Sequence, residues 1–256
     1  MTRSLAALFA AALLLPTVST APARADDKDK DAAAVLDKAI KALGGEEKLA
    51  KAAGYSWKTK SVITINGNDN EMTGQSTVKG FDHFHSEISG NFGGNDFKMV
   101  MVLAGDKGWR KFNDQLMPLD GDGLANDKRT AYLQAAAFTI LPLKGKEFKV
   151  VSAGEEKVGD KPAAVLKVTG PDGKDFKLWF DKETGLLVKE LARVAGFMPG
   201  EEFDRETTYK DYKEFGGIKR ATKYEVKRDG EKFIESDVSD VKVLDKVDAD
   251  TFAEPK

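Results

Sequence analysis

The period of apolar and polar residues changes twice along this chain. Over residues 31–43, Val35, Leu36, Ala39, Ile40 and Leu43 recur at helical spacing, and Gly44-Gly45 supplies a stop. A shorter helix is expected over residues 46–53. From Tyr55 the period falls to two. Tyr55, Trp57, Thr59, Ser61, Ile63 and Ile65 share one face, with Ser56, Lys58, Lys60 and Thr64 on the other. The polar run at 66–70 predicts a reversal into a second strand over 71–79. Further strands are expected at 81–89, 97–104 and 108–112, separated by glycine-bearing turns.

Residues 124–141 break the alternation. Ala131, Tyr132, Leu133, Ala135, Ala136, Phe138, Ile140 and Leu141 predict a helix ended by Pro142, apolar nearly all round in its second half. Such a helix is buried or covers something apolar. Strands then resume at 148–153, 163–169, 176–181, 187–194, 206–215, 219–228 and 233–243. Many antiparallel strands in series, a helix pair before them and one helix inserted among them predict a single α+β domain over residues 31–256.

The N-terminus adds a location. Arg3 precedes an apolar run at 5–15, then Pro16 and a small-residue stretch ending Ala23-Arg24-Ala25, the three-part pattern of a signal peptide over residues 1–25. The expected location is therefore outside the cytoplasm, periplasmic or secreted. The apolar run is shorter than the roughly 20 residues a membrane-spanning helix needs. Residues 26–30 form a charged leader. The chain has no cysteine, so its core alone must hold it together. Of 40 basic and 42 acidic residues, the first 25 positions hold only Arg3 and Arg24, which leaves a mature charge of −4. A balanced, densely charged surface argues against a nucleic-acid partner, and no second segment is long enough to span a membrane.

Catalytic signatures are missing from the sequence: no G-x-S-x-G, H-E-x-x-H, phosphate loop or dinucleotide fingerprint occurs. The expectation is a protein that is not an enzyme and carries no cofactor. One constellation tests that expectation. His83, His85 and Glu87 alternate on a strand, project to one side, and offer two imidazoles and a carboxylate to a divalent metal. They are equally a polar strand face, and they include both histidines of the chain. The acidic loops at 66–71 and 120–124 lack the ligand pattern of a calcium site and read as turns.

The apolar strand faces say more. Phe97, Met99, Met101 and Leu103 share one face, Phe176, Leu178 and Phe180 another, and Trp57, Ile63 and Ile65 a third. These residues either fill an ordinary core or line a partly open concavity. Methionine, flexible and polarizable, suits the second use. The residues expected to line such a site are Trp57, Ile63, Met99, Met101, Phe176 and Phe180, with Tyr132, Leu133, Ala136 and Phe138 on the covering helix.

Local segments carry a family resemblance. Residues 42–45 (ALGG) end the first helix, 178–189 (LWFDKETGLLVK) and 209–219 (YKDYKEFGGIK) form hairpins, and 247–252 (VDADTF) make a closing segment. Together with the order of elements, they resemble the LolA/LolB-like periplasmic lipoprotein-carrier superfamily over most of residues 31–253. The resemblance implies an incomplete β-barrel, a curved antiparallel sheet with covering helices, whose concave face accepts acyl chains. It implies a lipid or acylated protein as partner, or an envelope protein if the fold serves contact or sensing with a filled core. It also implies an arginine that contacts the lid, for which Arg110 and Arg129 are the alternatives.

Overall fold

The computed structural model describes residues 25–196 and 200–256. The expected signal peptide lies outside them, apart from Ala25. Thirteen antiparallel strands form one sheet. In chain order they are β1 (Gly54–Ile65), β2 (Asn68–Lys79), β3 (His83–Phe92), β4 (Asn95–Ala104), β5 (Lys107–Phe112), β6 (Gln115–Pro118), β7 (Lys149–Val158), β8 (Lys161–Thr169), β9 (Asp175–Asp181), β10 (Leu187–Ala195), β11 (Glu202–Phe215), β12 (Ile218–Arg228) and β13 (Glu231–Leu244). Among the described residues three α-helices accompany them: α1 (Ala25–Leu43), α2 (Glu46–Lys51) and α3 (Gly121–Ala136).

The spatial order runs β6 to β1, then β13 back to β7. Two up-and-down meanders thus meet at a central seam, where Tyr55 pairs with Val243 and Ile63 with Ile234. The edges are β6 and β7, and they are not paired to each other, so the curved sheet stays an open barrel. α3 lies between these edge strands in the chain, leaving the sheet at one rim and re-entering at the other. The short β6 ends in Pro118, a residue suited to an edge because it has no N–H to leave unpaired.

Tight turns hold the meanders in register. Asn66-Gly67 joins β1 to β2 and Asp229-Gly230 joins β12 to β13, each with positive φ at both positions, as a two-residue hairpin requires. Gly44 closes α1 at φ +133°, where any Cβ would stand 2.4 Å from the Gly217 carbonyl oxygen. The helix stop and the β11–β12 turn are therefore packed against each other.

The core lies on the concave side. Ala32, Leu36, Ala39, Ile40 and Leu43 of α1 join Leu133 of α3, Leu166 and Val168 of β8, and Phe176, Leu178 and Phe180 of β9 in one cluster. Each large apolar side chain buried there contributes about 1.5–3 kcal/mol. This half of the concave face is filled by the chain itself. On the outer face, the short 3-10 turn Ala249–Phe252 lays Phe252 over Val100 and Val102. Elsewhere outside, Trp179 packs with Ala163 and Val165.

Several boundaries differ from the expected ones. α1 begins at Ala25 and so includes residues 26–30, set apart above as a leader. α2 ends at Lys51 rather than 53. α3 ends at Ala136; Phe138 and Ile140 lie on a connecting segment, and Leu141 and Pro142 open a 3-10 turn, Leu141–Lys144. Pro142 sits in the first turn of that element, where its missing N–H costs nothing. β6 was not expected.

Candidate functional site

The other half of the concave face is not filled. A cavity of about 320 Å³ opens there beneath α3. Its floor combines Trp57 of β1, Met99 and Met101 of β4, and Phe203, Val226, Phe233 and Val238 from β11 to β13. Thr130 and Gln134 of α3 and Ala137 and Phe138 just after it form the cover. Strand alternation explains the floor: Met99 and Met101 share the face of the buried Leu103, and Trp57 shares that of Tyr55. The Phe138 ring stacks on Trp57 with centroids 4.0 Å apart.

The ten residues expected to line a ligand site divide by position. Trp57, Met99, Met101 and Phe138 border the cavity. Ile63 is buried farther along β1 and does not border it. Phe176, Phe180, Tyr132 and Leu133 belong to the packed core, and Ala136 is equally buried. α3 turns its Tyr132–Ala136 side to the core and presents Thr130 and Gln134 to the cavity. On the helix itself the cover falls to polar positions that the apolar pattern passes over, while Phe138 covers from the segment after it.

Polar groups punctuate the wall. Arg110 of β5 borders the cavity, and its Nε donates to Asp127 Oδ2 of α3 at 2.8 Å while Nη2 donates to Oδ1. Burial pushes the Asp127 carboxyl up, against the pull of Arg110. Arg205 of β11 also borders the cavity and donates from Nη2 to the buried Glu190 at 2.8 Å. Burial pushes Glu190 up and the Arg205 charge pulls it down. The Tyr209 phenol on the same wall is pushed up by burial and then by Glu190. Arg205 and Tyr209 had no signal in the sequence, because both lie in the charged run of β11.

Arg129 works differently from Arg110. It is buried on α3 and donates to the carbonyl oxygens of Arg193 and Asp175 and to Asp172 Oδ2, each at 2.9 Å. Both candidate arginines therefore tie α3 to the sheet, one from the sheet and one from the helix.

The His83, His85 and Glu87 face points outward, opposite the cavity. His83 Nδ1 lies 2.8 Å from Asp82 Oδ1, and its ring meets Phe252 edge-on. Glu87 pairs with Lys98 at 2.8 Å, while His85 stands 3.9 Å from it. Among the described residues no group of three acidic, histidine or cysteine side chains is arranged to hold a metal. A larger but shallow groove of about 1020 Å³ runs among Lys60, Thr73, Lys210, Lys223, Glu225 and Glu235. Its lining is as polar and charged as it is apolar, whereas the smaller cavity is mostly apolar, so the smaller cavity is the candidate site.

No protein-family model and no curated protein matches the sequence. Solved structures match the architecture. A LolA superfamily protein from Nitrosomonas europaea superposes with a TM-score of 0.57 at 16% identity, covering 87% of this chain and 97% of that one. The fold is LolA-like. A DUF1329 family protein from Desulfovibrio piger gives a TM-score of 0.56 at 16% identity over the same shares. A putative outer membrane lipoprotein-sorting protein domain from Vibrio parahaemolyticus gives 0.54 at 14%, covering 80% of this chain and 93% of that one. Among the described residues, no helix of this LolA-like chain is long and apolar enough to cross a membrane.

Proposed function

We propose that this chain is an exported, non-enzymatic binding or carrier protein for an acyl chain or similar apolar ligand. The cavity beneath α3 carries the reading. Its 320 Å³ lies at the lower end of the roughly 300–1,000 Å³ typical of small-molecule sites, and aromatic and thioether side chains dominate its floor. Affinity would come from burying methylenes, about 0.8 kcal/mol each. Methionines at 99 and 101 let the wall adapt to chains of different shape. The LolA-like fold supports the reading, as does the lipoprotein-sorting description of the Vibrio parahaemolyticus domain.

The test is direct. Purified chain should raise the fluorescence of N-phenyl-1-naphthylamine, a neutral apolar probe, and acyl compounds should displace it. Organic extracts of natively expressed protein should contain a lipid in stoichiometric amount. No rise in fluorescence and an empty extract would sink the reading.

A second reading draws on the filled half of the concave face. There α1, α3 and β8–β9 share one buried cluster, as in a module used for envelope protein contact or sensing. Probe binding separates the two.

A further inference from the structure

Five buried side-chain polar atoms among the described residues meet no hydrogen-bond partner within the chain. Glu190 Oε2 and Arg205 Nε belong to the ion pair on the cavity wall. The other three sit together: Tyr55 Oη, Arg220 Nε and Arg220 Nη2. Buried orphans are few in folded proteins, and each one calls for a reason.

Arg220 lies on the concave face of β12, 1% exposed, two alternations from the cavity-lining Tyr224. Its guanidinium carbon stands 4.5 Å from the Tyr55 ring centroid and 5.5 Å from that of Phe138. Nη1 donates to the Lys219 carbonyl oxygen at 2.9 Å. Among the described residues no carboxylate pairs with it. Burial pushes the guanidinium down to about 10, so it is still charged at neutral pH. A buried charge without a counter-charge is costly, and two cation–π contacts offset only part of that cost.

The arrangement of these atoms suits one kind of acceptor. Nε and Nη2 are the adjacent donors of one guanidinium edge, the pair that a carboxylate accepts with both oxygens. The Tyr55 hydroxyl, near Arg220 and Thr139 but with no well-formed bond to either, adds a third donor. Arg110 and Arg205 already hold carboxylates from Asp127 and Glu190. Arg220 does not. Phe138 forms the partition, with its ring on Trp57 in the cavity wall and also against the guanidinium.

We propose that Arg220 and Tyr55 form a head-group subsite behind Phe138, and that the ligand is a long acyl chain ending in a single carboxylate. Its chain lies against Trp57, Met99 and Met101. Its carboxylate takes the Arg220 edge once the Phe138 ring swings aside. This inference rests on the binding role of the cavity and adds the class of ligand.

Displacement of N-phenyl-1-naphthylamine by dodecanoate, dodecanol and dodecyl phosphate tests it at pH 7.5. Dodecanoate should bind at least about tenfold more tightly than dodecanol and more tightly than dodecyl phosphate. Arg220→Met should bring the acid-to-alcohol ratio close to one, and Arg220→Lys should keep part of it. Because Met removes an uncompensated buried charge, the variant should melt no lower than the parent. Should it fail to fold, the parent still decides. The bound carboxyl of carbon-13 dodecanoate, followed by NMR, should titrate below its value in water.

Equal binding of acid and alcohol overturns the subsite while leaving the cavity reading intact. So does a preference that survives Arg220→Met but vanishes in Arg205→Met, and so does tighter binding of the phosphate. Binding of none of the three overturns both readings together.

Discussion

Arg110 of β5 and Asp127 of α3 form a two-pronged ion pair that ties the covering helix to the floor beneath it. Asp127 is 1% exposed, whereas Arg110 is half-buried beside the cavity. Removing the arginine strands a buried carboxylate. Arg110→Ala should therefore cost about 3 kcal/mol in urea unfolding, the low end for breaking a buried pair. Amide exchange should quicken in α3 before the strands. Changing both partners to leucine should cost much less.

Phe138 stacks on Trp57 and closes one side of the cavity. Phe138→Ala should destabilise the chain by about 2–3 kcal/mol, somewhat below the usual cost for phenylalanine because the ring is only partly buried. The same change joins new space to the cavity. The best-bound acyl length in a probe-displacement series should increase. An unchanged preference would remove Phe138 from the wall.

His85 makes stability depend on pH. Burial is the larger cause lowering its pKa from 6.5; Glu87 opposes this and Lys98 adds to it. For a base lowered on folding, the unfolded chain binds more protons, so stability is lost as pH falls through 6.5 toward the folded value. His85→Gln should flatten the change in urea midpoint between pH 7.5 and 5.5 relative to the parent.

Asp181 organises the β9–β10 turn. Its Oδ1 accepts the backbone N–H of Glu183 at 3.0 Å and of Thr184 at 2.7 Å, and the Thr184 hydroxyl at 2.9 Å. Burial raises this carboxyl, but these bonds outweigh it and hold its pKa below the usual range. The stability it adds is present above the ordinary aspartate pKa and lost as pH falls through the folded value. Asp181→Ala should cost about 1–3 kcal/mol at pH 7. The difference from the parent should shrink toward pH 3.

The sheet was legible because one face of nearly every strand is buried, which writes alternation into the sequence. Trp57, Met99 and Met101 could be picked out for that reason. Phe138 was found for a partly mistaken reason: it follows α3 rather than belonging to it. An apolar run such as 137–141 reads the same whether it continues a helix or turns into a packed connection. Apart from Arg110, which the family resemblance offered, the charged half of the site left no trace. Arg205, Glu190 and Arg220 sit among lysines and glutamates of similar spacing, and only tertiary packing distinguishes a buried charge from a solvated one.

The central seam has a kinetic consequence. Ser61 and Ser236 share a hydrogen bond across 175 positions of chain, while every other strand pair of the described sheet joins sequence neighbours. Bringing such distant segments together costs about 5 kcal/mol of loop-closure entropy before any contact repays it. Each meander can assemble from short-range contacts, but their union has high contact order and should set the folding rate. Because the cavity floor draws on both sides of that junction, with Trp57 and the methionines from one meander and Phe203 and Phe233 from the other, binding competence should appear only with this last, slow event.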